Sequence, residues 1–279
     1  MKTILVPTDF SPHSENALRA AASIAKNNDA KIVVVHMAGI KDSHLTKEEA
    51  STALESVFYL KLSEKRFAEF LDKSYLEGVK VSEVIRKHKS FTELNDVAKE
   101  HDASLIVMSS HGSSGWEEML IGSNTEKVVR TADIPVLVVK QLVSDFKIDT
   151  GVFASDFSLE NTEAFEKAQR FFKEFDTVMN MVYVNTPGPD FRNSKEIDEV
   201  LFKFFEATGA KNPSEEVSKV AIVSDYTIEG GIFMFSQMLD ADIIVIPTHG
   251  RRGLSHLLKG SLSEDIANHA IVPVLTIKL

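Results

Sequence analysis

The sequence predicts an α/β protein of two tandem domains, each built on a five-stranded parallel sheet covered by helices. Three observations carry this. Short apolar runs of strand length alternate with stretches of helical spacing. One stretch is written twice: Ser109 to Ser123, S-S-H-G-S-S-G-W-E-E-M-L-I-G-S, returns as Pro247 to Ser261, P-T-H-G-R-R-G-L-S-H-L-L-K-G-S. Each copy follows an apolar run and leads into a helical pattern, and strands separated by helices build right-handed βαβ crossovers and a parallel sheet.

In chain order, Thr3-Ile4-Leu5-Val6 is short and β-branched, as a strand buried on both faces would be, and Pro7-Thr8-Asp9-Phe10-Ser11 breaks it. From Asn16, Ala17, Ala20, Ala21 and Ile24 fall on one helical stripe of small residues. Lys31 to Met37 is the second strand. Residues 40–76 carry helical spacing at Leu54, Val57, Phe58, Phe67, Phe70 and Leu71, as one long helix or two, and Gly78 ends them. Val79 to Ile85 alternates like a strand near an edge. Leu94, Val97 and Ala98 mark the next helix, and Leu105 to Met108 the fourth strand. Thr125 to Thr131 is helical, and Ile134 to Val139 is the fifth strand, with Pro135 near its start. Lys140 to Phe146 reads as the linker, giving domains over 1–141 and 147–279.

The second half repeats the order. Asp156-Phe157-Ser158 matches Asp9-Phe10-Ser11, Met181 to Val184 matches Val34 to Met37, and Pro273-Val274-Leu275 matches Pro135-Val136-Leu137. From Asp102 and Asp240 onward the offset is 138 residues, against 147 at the two aspartate turns, so the second copy is shorter in its middle. Gly188, Pro189, Gly209 and Pro213 make that middle more broken. Such self-similarity is duplication of a whole domain.

Composition narrows the function. A net charge of -10 argues against general nucleic-acid binding and against adhesion to an anionic membrane, both of which need clustered positive charge. No cysteine is present, which excludes disulfides, thiolate metal sites and cysteine nucleophiles. The nine histidines form no close metal-binding pair. The apolar run at the N-terminus is too short for a signal-sequence core and no run is long enough to span a bilayer, so a cytoplasmic address is expected.

In an open parallel sheet a ligand sits beyond the carboxyl ends of the strands, where the strand order reverses. Both signals of each half fall there: the aspartate turn after strand one and the glycine turn after strand four. Asp9 can accept hydrogen bonds from adenine or ribose. Gly112, Gly122 and Ser123 let phosphate oxygens approach the backbone and the positive end of a helix.

These motifs resemble the universal stress protein family in tandem form, over both halves almost end to end. The family pattern is a P-T-D-x-S start and a G-x-x-G, nine residues, G-S/T signature for ATP. Here Ser109-Ser110-His111-Gly112 precedes Gly122-Ser123, and Pro247-Thr248-His249-Gly250 precedes Gly260-Ser261. Ser109 and Pro247 thus replace the first glycine. The resemblance implies strand order 3-2-1-4-5 and an adenine-nucleotide site. Asp9 and Met37 would bracket adenine, with Val6 and Pro7 lining the pocket. Met108, Ser109 and Gly112 would meet the ribose and first phosphate, and Gly122, Ser123 and Asn124 the outer phosphates. Thr8 and His111 join this set. The second site would comprise Asp156, Val184, Ile246, Thr248, Gly250, Gly260, Ser261 and Leu262. ATP is the implied ligand, with any Mg2+ carried on its phosphates. The family's fifth strands pair at a domain or subunit contact, which in a tandem chain can form internally; a further homodimer stays open.

The two sites are not equivalent. Pro247 lacks an N–H, and Ala154 stands where the first half has Pro7. Arg251, Arg252 and Lys259 surround the second glycine turn, where the first has Ser113, Ser114, Glu117 and Glu118. Charge favours the second site and backbone chemistry the first, and the first is preferred for ATP. His111 and His249 read as loop-holding side chains, and Trp116 as packing. No water-activating base with a paired metal ligand is recognisable, so a regulatory or sensing role with at most slow hydrolysis is expected. Phe202, Phe204 and Phe205, and Phe171, Phe172 and Phe175, read as core or domain interface; the alternative function is an interaction scaffold with degenerate sites, its second half holding an apolar ligand among them. An adenylyl-transferring enzyme ranks last, because the first turn lacks an H-x-G-H element.

Overall fold

The computed structural model describes residues 1–38, 49–86, 92–110, 123–140, 146–248, 270 and 272–279. The chain divides into two compact units, Met1–Phe146 and Lys147–Leu279. In the first, β1 (Thr3–Thr8), α1 (Pro12–Asn28), β2 (Lys31–Met37), α2 (Glu49–Leu71), β3 (Val81–Arg86), α3 (Thr92–Glu100), β4 (Leu105–Ser109), α4 (Ser123–Thr131) and β5 (Val136–Val139) follow one another. The strands lie in the order β3-β2-β1-β4-β5 and every pairing within the unit is parallel.

α1 starts earlier than its apolar stripe indicates. Ser11 caps it by accepting from the Ser14 N–H at 3.2 Å, and Pro12 fills the first turn, where no N–H is needed. The stripe then buries Ala17, Leu18, Ala21, Ile24 and Ala25. The stretch of alternative readings, one helix or two, is the 23-residue α2 followed by a 3-10 turn at Ser74–Leu76, with residues 39–48 outside the described part. A cluster of charge ties that turn to α1. Lys73 Nζ sits 2.9 Å from Glu15, Glu15 also meets Arg19, and the Arg19 guanidinium lies 4.5 Å from the centre of the Tyr75 ring. Burial, with Glu15 alongside, pushes the Tyr75 phenol well above the usual tyrosine range.

The second unit runs β6 (Thr150–Ala154), α5 (Thr162–Glu174), β7 (Val178–Asn185), α6 (Ser194–Ala207), α7 (Pro213–Ser218), β8 (Val220–Ser224), α8 (Ile228–Met238), β9 (Ile243–Thr248) and β10 (Val274–Lys278). Its order, β8-β7-β6-β9-β10, is the same, again with parallel pairing throughout. The broken middle anticipated from Gly209 and Pro213 is real: α6 and the six-residue α7 stand where the first unit has α2. A capping box closes the start of α6, Asn193 accepting from the Glu196 N–H while the Glu196 carboxylate accepts from the Asn193 N–H. Phe204 and Phe205 are buried; with Phe153, Phe157 and Phe165 they form an aromatic core of edge-to-face contacts.

Duplication is written into the backbone as well as the sequence. Among the described residues, the non-glycine positions with positive φ are Phe10, Asp29 and Asp102 in the first unit and Phe157, Asp176 and Asp240 in the second. They match one to one at the two offsets. Left-handed backbone disfavours a side chain, so each pair marks a turn both copies retain. Side-chain volume has moved between partners. At the offset of 147, Ile4 and Ala25 of the first unit correspond to Gly151 and Phe172 of the second. A Cβ built on Gly151 would lie 2.1 Å from the Phe172 ring, so the glycine makes room for the larger side chain.

Several strand limits differ from the sequence reading by one or two residues, β3 and β4 among them. β1 continues through Pro7 to Thr8, and β5 begins after Pro135. The reason at Pro7 is the direction its nitrogen faces, which also shapes the site.

Candidate functional site at the strand-order reversal

In each unit the order reverses at the first strand: β1 has β2 on one side and β4 on the other, and β6 has β7 and β9. Strand registers set the candidate residues level. Thr8 pairs with His36, so Asp9 stands level with Met37. Carrying Leu5↔Ile106 onward puts Asp9 level with Ser110, and Ser109↔Val139 puts Ser110 level with Lys140. The second unit repeats the row as Val184, Asp156, Thr248 and Lys278. An aspartate and a lysine therefore stand at the same level of both sheets. The lysines escaped sequence reading, although their offset of 138 was visible. Burial lowers the Lys140 pKa to about 8.

The two aspartate turns share one construction. The Thr8 hydroxyl accepts from the Phe10 N–H at 2.9 Å, and the Ser155 hydroxyl from the Phe157 N–H at 3.0 Å. Asp9 Oδ1 accepts from the Ser11 N–H at 3.0 Å, and Asp156 Oδ1 from the Ser158 N–H at 2.9 Å. These side chains satisfy backbone donors that a chain reversal would orphan. The positive φ sends the phenylalanine inward. Phe10 stacks 4.4 Å from His36 and edge-on to Phe67, and Phe157 is buried among Phe153, Phe204 and Phe205. The aspartate is left exposed at the rim in both units. The copies then diverge: Asn161 donates to Asp156 Oδ1 at 2.6 Å, whereas its counterpart Ser14 turns to the Thr8 hydroxyl at 2.9 Å.

The lips of each crevice carry one proline. The Lys31 N–H bonds the Lys2 carbonyl and the Ser104 N–H the Thr3 carbonyl, so even residues of β1 face β2 and odd ones face β4. Pro7 therefore points its nitrogen at β4, beyond the last printed pair, Leu5↔Ile106. In the second unit the Leu279 N–H bonds the Thr248 carbonyl, so Pro247 faces β6 beyond Phe153↔Val245. A proline there parts the strands without stranding an N–H. Ala154 in place of Pro7, and Pro247 in place of Ser109, move the proline from one lip to the other.

In the first unit the helix after the glycine turn is fastened to the strand before it. The buried Thr125 hydroxyl donates to the Ser109 carbonyl at 2.9 Å, and the Ser110 N–H donates to the Val139 carbonyl at 3.0 Å. The start of α4, with the exposed Asn124, is thereby held at the carboxyl end of β4. Thr125 is a second contributor that its residue type alone did not signal.

Among the other candidates, Pro7, Met37, Ser109 and Val184 are half-buried, while Val6, Thr8, Met108, Ile246 and Thr248 are buried. The buried ones can meet a ligand chiefly through backbone. His111, Gly112, Gly122, Gly250, Gly260, Ser261 and Leu262 lie outside the described residues, as do Trp116, His249, Arg251, Arg252 and Lys259, and nothing of the Ser123 side chain is described. A cavity of about 750 Å³ opens beside Asp9, lined by Phe10, His13, Glu15, Arg66, Glu69 and Lys73 among others. It shares only Asp9 with the candidate set, and its three carboxylates suit a polyphosphate poorly.

The fold is a tandem pair of doubly wound α/β domains, each with its strand order reversing at the first strand. The chain belongs to the universal stress protein family, whose model matches residues 1–140 and again 149–278. It is 25% identical over 293 residues to a universal stress protein of Mycolicibacterium smegmatis, covering 99% of this chain and 96% of that one. A universal stress protein of Methanocaldococcus jannaschii is 32% identical over 153 residues, covering 50% of this chain and 82% of its own. The fold matches the crystal structure of a universal stress protein from Archaeoglobus fulgidus with a TM-score of 0.65 at 21% identity, over 99% of this chain and 98% of that chain. No described helix is long and apolar enough to cross a membrane.

Proposed function

We propose that this universal stress protein binds ATP or a related adenine nucleotide at the switch point of its first unit, as a regulatory or sensing module. The observation that carries the proposal is the aspartate turn: two copies with the same hydrogen bonds, each leaving its carboxylate exposed level with the end of the fourth strand. Asp9 and Met37 take the base, with Pro7 beneath it. Ser109, Asn124 and the glycine turn that α4 closes take ribose and phosphates, through backbone N–H groups and the helix start. The half-buried and exposed classes of Pro7, Met37, Ser109 and Asn124 fit such a ligand, and Thr125 holds the phosphate side to the base side. Any divalent metal arrives on the phosphates. The chemistry supplied is binding, with Asp9 as acceptor and no residue assigned to activate water.

The first unit is preferred because Ser109 keeps the N–H that Pro247 lacks. The domains proper are 1–141 and 147–279, the address is cytoplasmic, and neither nucleic acid nor membrane is a partner. The test is to denature the purified protein, assay released adenine nucleotide, and follow thermal stability with added Mg-ATP. Bound nucleotide or a saturable rise in Tm is expected, and Gly122→Val, at the last glycine of the signature, should remove it. An empty protein indifferent to Mg-ATP would favour the scaffold reading.

A further inference from the structure

We propose that the outer edge of β8 is a self-association surface, on which a second copy of this chain docks by antiparallel β8–β8 pairing. Among the described residues β8 pairs only with β7. The Ser155 N–H bonds the Val182 carbonyl and the Asp225 N–H bonds the Asn185 carbonyl. With the register Tyr183↔Ile222, this alternation turns Ala221 and Val223 toward β7 and leaves the N–H and C=O groups of Val220, Ile222 and Ser224 facing outward.

Chains ordinarily protect such an edge with charge. β3, at the same place in the first unit, does so: the Ile32 N–H bonds the Lys80 carbonyl, which leaves Val81, Glu83 and Ile85 facing outward with a carboxylate at the centre. β8 reads Val-Ala-Ile-Val-Ser, without a charge, and Ile222 is 46% exposed at its centre. Beside it runs a groove of about 680 Å³, with Phe202, Val217, Val220 and Ile222 as its apolar lining.

The occupant is a second copy because the strand is complementary to itself. A two-fold axis at Ile222 sets Ile222 against Ile222, Val220 against Ser224 and Ala221 against Val223, so no like charges meet. The outward groups of Val220, Ile222 and Ser224 then exchange hydrogen bonds across the axis. The groove rim holds Lys195 and Lys203 with Asp198 and Glu199, a balanced set in a chain of net charge -10. A neutral, uncharged-edged patch is where such a chain can meet itself. The contact is small, so the dimer is weak and concentration-dependent. It is independent of the nucleotide reading.

The chain has no cysteine, so Ile222→Cys introduces the only thiol. Antiparallel partners at a hydrogen-bonded pair stand about 5.5 Å apart between Cα atoms, within reach of a short bis-maleimide. Full-length Ile222→Cys should cross-link to a dimer while Glu83→Cys stays monomeric. In sedimentation velocity the native chain should shift toward dimer across a concentration series, and Ile222→Lys should weaken association by about tenfold or more with unchanged circular dichroism. A native chain that stays monomeric throughout, equal cross-linking of the two cysteine variants, or association untouched by Ile222→Lys would overturn the proposal.

Discussion

Gly151→Ala tests how the second unit was re-packed after duplication. Gly151 lies in β6, buried, with Phe172 of α5 across from it and 2% exposed. An added Cβ would sit 2.1 Å from Phe172 Cε1, 2.7 Å from Cζ and 3.1 Å from Ile243 Cγ2. None of these is the free end of a flexible chain, so the ring or the strand must shift. Replacing a strand glycine by alanine where backbone and space allow stabilises by about 0.4–1 kcal/mol through the unfolded chain. Overpacking a filled core costs about 1–3 kcal/mol. The net expectation is destabilisation by about 1–2 kcal/mol. Phe172→Ala alone should cost about 3–5 kcal/mol through the void it leaves. Gly151→Ile with Phe172→Ala restores the residues the first unit has at these two places, Ile4 and Ala25, and should recover at least about 1 kcal/mol relative to the sum of the single changes. Urea unfolding of the full chain by far-UV circular dichroism reads the native chain, Gly151→Ala, Gly151→Ile, Phe172→Ala and the double variant. A stabilised Gly151→Ala, or strict additivity in the double variant, would refute the exchange of volume between strand and helix.

Two further expectations follow from single groups. Thr125→Val removes a buried hydroxyl that holds α4 to the Ser109 carbonyl; stability should fall by about 1–2 kcal/mol, and Mg-ATP should give a smaller thermal shift than with the native chain. Lys140, its pKa lowered by burial to about 8, binds fewer protons folded than unfolded between that value and the ordinary 10.5. Its charge therefore weakens the fold fully below about pH 8, and stability recovers as pH rises from 8 toward 10.5. Lys140→Met should raise stability at pH 7 by no more than about 1 kcal/mol, given its half exposure, and remove that part of the rise in an unfolding series across pH 7–10.

Much of the fold was legible because periodicity and repetition are properties of the chain alone. Ala17, Ala21 and Ile24 announced α1, and the 138-residue offset announced two domains. The start of α1 was misplaced because a cap depends on one serine and a proline rather than on a stripe. Pro7 was read as a strand break because the direction of its nitrogen is set by β4, a hundred residues away. The aspartates were legible as a repeated D-F-S, but the work of that phenylalanine was not. Its ring is drawn inward by a positive φ that sequence does not display. Lys140 and Lys278 carry no sequence signal of their own, because only strand register sets them level with the aspartates. The volume exchange at Gly151 and Phe172 needs helix and strand in contact to be seen.

The proposed adenine-nucleotide site joins the aspartate turn to the end of the fourth strand and is best preserved in the first unit. Calorimetric titration of Mg-ATP into the native chain, Asp9→Ala and Asp156→Ala tests it most directly. Saturable binding at one or two sites per chain is expected, weakened about tenfold or more at the first site by Asp9→Ala and changed less by Asp156→Ala. No binding by the native chain, or one affinity and stoichiometry shared by all three proteins, would contradict it.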